Sequence, residues 1–282
     1  MKFTGLFLLI FCILSLCHGK EISCYSLSLP PDITRADLYY LSPPKFNKPK
    51  VVLVLCPGVN GNGRHLVAAK NWQEFVRKHN MGLVGLSFAS PTSALRNKQG
   101  YYYPERGSGK ILISGINKIF GRNTKIIMYG FSGGAHFTAR FAEWIPARVI
   151  AWCSYSAMWW DPPLKHKMSP PGLIICGSDD QRLGASLSYF KEGRAIGRRW
   201  LWLEIPNNGH SPQAEAEEFV REYFAEIIAT EKLPSLHNNS GWLDIDTGEM
   251  VTEKDAQRTP SVTAWLPNIS LLKKWKQFTE AH

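Results

Sequence analysis

The pentapeptide Gly130-Phe131-Ser132-Gly133-Gly134 places a serine hydroxyl between an apolar run, KIIMYG (125–130), and a segment of helical period, AHFTARFAEWI (135–145). Small residues at such a junction permit a sharp strand-to-helix turn that raises the hydroxyl above the strand end, and the helix start behind it favours negative charge. A serine hydroxyl is a weak nucleophile at neutral pH, so it needs a base to take its proton and an acid to orient that base. Both types follow downstream, each just past an apolar run: Asp179 and Asp180 after GLIICG (172–177), and His210 after WLWLEI (200–205). The chemistry of such a set is acyl transfer, whose tetrahedral intermediate also requires N–H donors for its oxyanion. The Gly133 amide, next to the serine, is one candidate. The loop Pro57-Gly58-Val59-Asn60-Gly61-Asn62-Gly63 offers the other, from Val59 with Asn60 as the alternative. That loop lacks the Lys-Ser or Lys-Thr of a phosphate-binding loop and the spacing of GxGxxG.

The elements that must position these residues are legible as an alternation. Runs at 51–56, 82–88, 125–130, 149–155, 172–177 and 200–205 are continuously apolar, as strands covered on both faces are, and ADLYYLS (36–42) reads as an earlier strand. Between them, HLVAAKNWQEFVRKH, GKILISGINKIF and AHFTARFAEWI repeat apolar residues every three or four positions. After His210, SPQAEAEEFVREYFAEIIATEK reads as a helix with Ser211 as N-cap and Pro212 in its first position. This is the pattern of an α/β domain with a mostly parallel sheet. The acid and the imidazole then fall on loops at the same strand edge as Ser132.

Ser132 and Asp180 are 48 residues apart and Asp180 and His210 are 30 apart, room for one strand-helix unit each and no large inserted cap. The other histidines are worse placed as the base. His65, His79 and His136 precede the carboxylates, His166 lies between them and the serine, and His237 and His282 lie near the C-terminus. His136, four residues after Ser132, is expected to be packed or to cap the helix. Trp159 and Trp160, on the loop after VIAWCSY, are candidates for an apolar wall that receives an acyl or aromatic group or stacks on a sugar, with packing against the C-terminal extension as the alternative. Tyr101, Tyr102 and Tyr103 are candidates for an opposite wall.

With 44% hydrophobic and 20% charged residues the chain of 282 has the balance of a globular domain. Residues 1–19 begin with Lys2 and run apolar to Cys17, short for a bilayer span and ending near the small Gly19. A signal peptide over 1–19 is expected, hence a secreted or periplasmic protein, with an N-terminal membrane anchor as the alternative. Its removal takes the formal charge from +10 to +9, with 32 Lys and Arg against 23 Asp and Glu. That excess is scattered, densest at Arg194, Arg198 and Arg199 and at Lys273, Lys274 and Lys276, and reads as solvated surface, not a nucleic-acid-binding stripe. No membrane span is expected after cleavage, and the oligomeric state is not legible. Cys24, Cys56, Cys153 and Cys176 remain, three of them inside apolar runs and expected to be buried thiols. No CxxC pair or histidine cluster suggests a metal site. The expected domains are 20–230 and a polar, turn-rich extension, 231–282, packed on it.

On LCPGVNGNGR (55–64), GFSGGAHFTARFAEWIPARVIAWCSYSAMWW (130–160), CGSDD (176–180) and NNGH (207–210), the chain resembles the α/β-hydrolase family over about residues 35–230. Within it, these stretches look like the secreted esterase and depolymerase branch that includes polyhydroxybutyrate depolymerases and feruloyl or acetylxylan esterases. The resemblance implies the α/β-hydrolase fold, helices on both faces of a mostly parallel sheet, and a serine esterase without cofactor acting on a small-molecule or polymeric ester. It favours Asp180 over Asp179 as the acid, beside Ser132 and His210. The other readings are a serine peptidase of prolyl-oligopeptidase type, for which no propeller-length N-terminal region is present, and a silent hydrolase scaffold used for binding.

Overall fold

The computed structural model describes residues 21–41, 48–165, 169–232 and 239–279. The expected signal peptide lies outside the described residues. The main sheet has eight strands: β1 (Ile22–Ser26), β2 (Arg35–Leu41), β3 (Val51–Cys56), β4 (Gly82–Ala89), β5 (Lys125–Phe131), β6 (Val149–Tyr155), β7 (Gly172–Gly177) and β8 (Trp200–Ile205). Their order is β1-β2-β4-β3-β5-β6-β7-β8. β1 and β2 pair antiparallel, as do β2 and β4, and every pairing from β4 onward is parallel. The six apolar runs from residue 51 onward all form parallel strands. All eight residues of β4 and all six of β7 are buried, so side chains on both faces of the sheet are covered, which is why these strands lack an alternating pattern. β1, largely exposed, has no such run and escaped the sequence reading.

The helices are α1 (Arg64–Ala68), α2 (Lys70–His79), α3 (Thr92–Arg96), α4 (Ser108–Ile119), α5 (Gly133–Trp144), α6 (Leu183–Ala195) and α7 (Ala214–Lys232). The segment 65–79, which reads as one helix, is broken at Ala69, whose φ of −66° and ψ of 122° are extended. α7 starts at Ala214, not at Ser211. The Ser211 carbonyl instead accepts from the Tyr155 hydroxyl at 3.1 Å and from Asn208 Nδ2 at 2.9 Å, so Ser211 belongs to the loop before the helix. The helical face read from sequence is correct: Ala216, Phe219, Tyr223 and Ile227 are all buried.

Residues 239–279 form a second, three-stranded antiparallel sheet, with β9 (Gly241–Asp244) between β10 (Met250–Val251) and β11 (Thr263–Leu266), together with α8 (Glu253–Arg258) and α9 (Leu272–Thr279). β11 and α9 lie against β8. The Trp275 indole is buried and donates to the Trp202 carbonyl of β8 at 2.7 Å. Arg194 and Arg198 correct the reading of that cluster as solvated surface, because both are buried. Arg194 donates to the Thr263 carbonyl at 2.7 Å and lies over the Trp242 ring, while Arg198 pairs with Glu143 at 2.8 Å. Sequence spacing shows charge density, but only the three-dimensional partners show that these guanidinium groups join elements.

Candidate functional site

Ser132 stands at the C-terminal end of β5, with φ of 53° and ψ of −113°. A residue with a Cβ is strained there, and the surroundings must hold it. Its amide donates to the Tyr155 carbonyl at 2.8 Å, which ties the turn to the end of β6. The glycines allow the close approach: a Cβ on Gly130 would lie 2.4 Å from the Gly134 carbonyl oxygen, and one on Gly134 would lie 2.1 Å from the Cys56 carbonyl oxygen. No side chain fits between strand and helix at either position.

The ends of β7 and β8 supply the other groups. His210 Nε2 lies 2.9 Å from Ser132 Oγ, and His210 Nδ1 lies 2.8 Å from Asp180 Oδ2. The imidazole stacks on the Phe131 ring with centroids 4.9 Å apart. Asp180 is buried, and its Oδ1 accepts from the Arg182 amide at 3.1 Å and the Arg182 guanidinium at 2.9 Å. Burial alone pushes the Asp180 carboxyl up, but the bonds from His210 and Arg182 outweigh it and hold the pKa below the ordinary carboxylate value. An ionised carboxylate only accepts hydrogen bonds, so Nδ1 carries the imidazole proton and Nε2 keeps its lone pair toward the serine. Asp179 is exposed and bonds to Ser178 Oγ at 3.0 Å; of the two carboxylates, Asp180 is the one that meets His210.

A network that the sequence reading missed fixes the His210 loop. Asn208 is buried; its Nδ2 donates to the Tyr155 hydroxyl at 3.1 Å, and its Oδ1 accepts from Gln213 Nε2 at 2.6 Å. Its carbonyl accepts the Asp179 amide at 3.0 Å, which joins the imidazole loop to the acid loop. The one sequence signal for this role was an amide side chain two residues before the histidine.

Val59 is brought against the turn. A Cβ on Gly133 would lie 2.5 Å from the Val59 backbone nitrogen, so Gly133 and Val59 present adjacent backbone beside Ser132. Gly133 is the first residue of α5, and its amide has no carbonyl four residues back within the helix. The Asn60 amide is already used, donating to the Tyr101 hydroxyl at 3.1 Å, and its side chain bonds the Ser90 backbone. Of the two amides, that of Asn60 is engaged by Tyr101, and that of Val59 is the one beside Gly133.

Trp159 is 44% exposed, whereas Trp160 is half-buried and stacks on Tyr189 with centroids 4.1 Å apart. Neither packs on the C-terminal sheet in the ring contacts described; both meet His136 instead, at 5.5 and 6.5 Å. Tyr101, Tyr102 and Tyr103 are buried and do not form an open wall. His136 is packed, as its position suggests, between these tryptophans and Tyr102. Cys56, Cys153 and Cys176 are buried thiols. Among the described residues no group of three or more histidine, cysteine, aspartate or glutamate side chains is placed to hold a metal ion, and no helix is long and apolar enough to cross a membrane.

No family model and no curated protein matches the sequence. Solved structures do resemble it. FphF, a fluorophosphonate-binding serine hydrolase of Staphylococcus aureus, is 15% identical with a TM-score of 0.54, over 73% of this chain and 98% of that one. The S-formylglutathione hydrolase FrmB of the same organism is 15% identical with a TM-score of 0.55, over 74% and 99%. An esterase of the archaeon Pyrobaculum calidifontis is 14% identical with a TM-score of 0.53, over 74% and 86%. At these identities the likeness is one of fold. The chain has the α/β-hydrolase fold without a large cap, and its structural neighbours are serine hydrolases and esterases.

Proposed function

We propose that this protein is a serine hydrolase of carboxylic esters, with Ser132 as nucleophile, His210 as general base and acid, and Asp180 as the group that orients His210. The observation that carries the reading is the unbroken relay, 2.9 Å from serine to imidazole and 2.8 Å from imidazole to a buried carboxylate, built on a strained turn. His210 Nε2 takes the hydroxyl proton as Ser132 Oγ attacks the ester carbonyl carbon. The oxyanion formed is held by the amides of Gly133 and Val59. The tetrahedral intermediate collapses with the C–O bond to the alcohol breaking, and His210 returns its proton to the departing alkoxide. Water then attacks the acyl-enzyme with His210 again as base, which releases the acid and restores Ser132. None of these steps calls for a cofactor. The apolar leader over 1–19 supports a site of action outside the cytoplasm, secreted or periplasmic, and Trp159 with Trp160 is the surface we assign to substrate, a small-molecule or polymeric ester.

The test is labelling by a fluorophosphonate probe followed by hydrolysis of a panel of acetyl-sugar, aromatic and hydroxyalkanoate esters. Labelling at Ser132 is expected, with kcat lowered on the order of 10⁴-fold or more in Ser132→Ala, His210→Ala and Asp180→Asn. An active Ser132→Ala protein refutes the assignment, and peptide amides cleaved in preference to esters would move it to the peptidase class.

A further inference from the structure

The two amides placed for the oxyanion have a side-chain neighbour. A Cβ built on Gly133 would lie 2.5 Å from the Val59 nitrogen and 2.7 Å from Tyr102 Oη, so amide and hydroxyl both crowd Gly133 on its Cβ side. The Gly133 N–H faces that side too, because in a helix the Cα–Cβ bond tilts toward the N-terminus, where the free N–H groups point. Tyr102 is 3% exposed, and its hydroxyl is not among the polar atoms sealed without a partner in the core, as Ser87 Oγ and Tyr223 Oη are.

The chemical state of this hydroxyl makes it a donor. Burial pushes the Tyr102 pKa up to about 12, against the opposite pull of the Tyr101 hydroxyl and Arg140, so the phenol keeps its proton at neutral pH. The Asn60 amide donates to Tyr101 Oη at 3.1 Å, and the Tyr101 hydroxyl favours charge on Tyr102 Oη, the sign of a donor toward it. Hydrogen bonds that run in one direction polarise one another. The row ends at the Tyr102 proton, to which no acceptor is bonded among the described residues. Its backbone is fixed in a single 3₁₀ turn, Gly100–Tyr102. Ser90 Oγ accepts from the Tyr101 amide at 3.0 Å, and Ser108 Oγ donates to the Tyr101 carbonyl at 3.0 Å. A donor held in place before the reaction needs no reorganisation when the charge forms.

We infer that Tyr102 is a further catalytic residue, its hydroxyl donating to the oxyanion beside the amides of Gly133 and Val59; this rests on the hydrolase reading. As Ser132 Oγ bonds to the carbonyl carbon and its proton passes to His210 Nε2, the π pair of the carbonyl moves onto its oxygen. Tyr102 donates a hydrogen bond to that oxygen and keeps its own proton. The ester carbonyl carries little of this charge, so the bond strengthens toward the transition state, and its loss falls on kcat more than on KM.

The experiment compares wild type, Tyr102→Phe and Tyr103→Phe on p-nitrophenyl butyrate, with 1,1,1-trifluoro-2-hexanone as an inhibitor whose adduct with Ser132 carries the same oxyanion. Tyr103, whose hydroxyl serves Arg140 at 3.4 Å, is the control. In Tyr102→Phe we expect kcat to fall at least about tenfold with KM within about threefold, and Ki for the ketone to rise at least about tenfold. Tyr103→Phe should keep kcat within about threefold of wild type. Because the Tyr102 proton serves no described residue, its removal should lower Tm by no more than about 2 °C. A smaller fall in kcat, equal inhibition of wild type and Tyr102→Phe, an equal loss in Tyr103→Phe, or a larger fall in Tm overturns the inference while wild type still hydrolyses the ester. A wild type that neither hydrolyses it nor takes a fluorophosphonate at Ser132 refutes the hydrolase reading, and this inference with it.

Discussion

The backbone of Ser132 offers a test of the site that needs no substrate. At φ of 53° and ψ of −113° the residue occupies a region that glycine enters freely and other residues enter only under strain. Ser132→Ala and Ser132→Gly both remove the 2.9 Å bond to His210, so that loss cancels between the two variants. What differs is the Cβ. Strain of this kind costs about 1–3 kcal/mol, and glycine is released from it. Against this, glycine loses about 0.5–1 kcal/mol more chain entropy than alanine. The missing Cβ also forfeits part of the roughly 0.8 kcal/mol of a buried methylene, since Ser132 is only half-buried. The balance favours Ser132→Gly over Ser132→Ala by about 1 kcal/mol, or a Tm about 2–4 °C higher for a domain of this size. Differential scanning calorimetry of the two proteins under one buffer measures it. A Ser132→Gly protein that melts at or below Ser132→Ala would refute the claim that the turn stores strain.

Three other outcomes follow from the same geometry. In Arg182→Ala the Asp180 carboxylate loses a 2.9 Å charge-assisted bond, and because the guanidinium is partly exposed we expect kcat to fall about tenfold with KM within about twofold. The sign for stability is set by the depressed Asp180 pKa: its contribution is present above the unfolded value of about 3.9 and is lost as pH falls below it, so the Tm gap between wild type and Arg182→Ala should be full at pH 6 and shrink toward pH 3. Gly134→Ala drives a Cβ to 2.1 Å from the Cys56 carbonyl oxygen and 2.5 Å from that of Pro57, and since neither backbone atom can move aside alone, urea denaturation should show a loss of about 3 kcal/mol or no folded protein. Iodoacetamide at pH 8 should label exposed Cys24 and spare Cys56, Cys153 and Cys176, because burial pushes Cys56 up to about 12, Cys176 up to about 11, and Cys153 well above its ordinary value; peptide mass spectrometry reads the sites.

Much of this was legible before any coordinates. The parallel strands announce themselves because a strand buried on both faces must be apolar at every position, so VVLVLC and GLIICG admit few other readings. The turn at Ser132 is legible because only glycine tolerates contacts as short as those at 130 and 134. β1 left no trace, since three of its five residues are exposed and impose no pattern, and β9 to β11 are too short to show one. The start of α7 slipped because the backbone at Ser211 is held in the loop, its carbonyl accepting from Tyr155 and Asn208.

The sequence by itself determined which residue types could react and that they lie beyond strand ends, because strand order and loop position follow from hydrophobic pattern and chain length. It ranked Asp180 above Asp179 and Val59 above Asn60 but held no contact that separates either pair. Asp179 and Asp180 have the same chemistry, and only the turn after β7 buries one beneath the imidazole and leaves the other in water. Val59 and Asn60 are separated by a single bond from a tyrosine 41 residues away. Arg194 and Arg198 read as surface until their partners, Thr263 and Glu143, are brought to them. Such choices depend on contacts between residues distant in the chain, which local pattern does not encode and folding supplies.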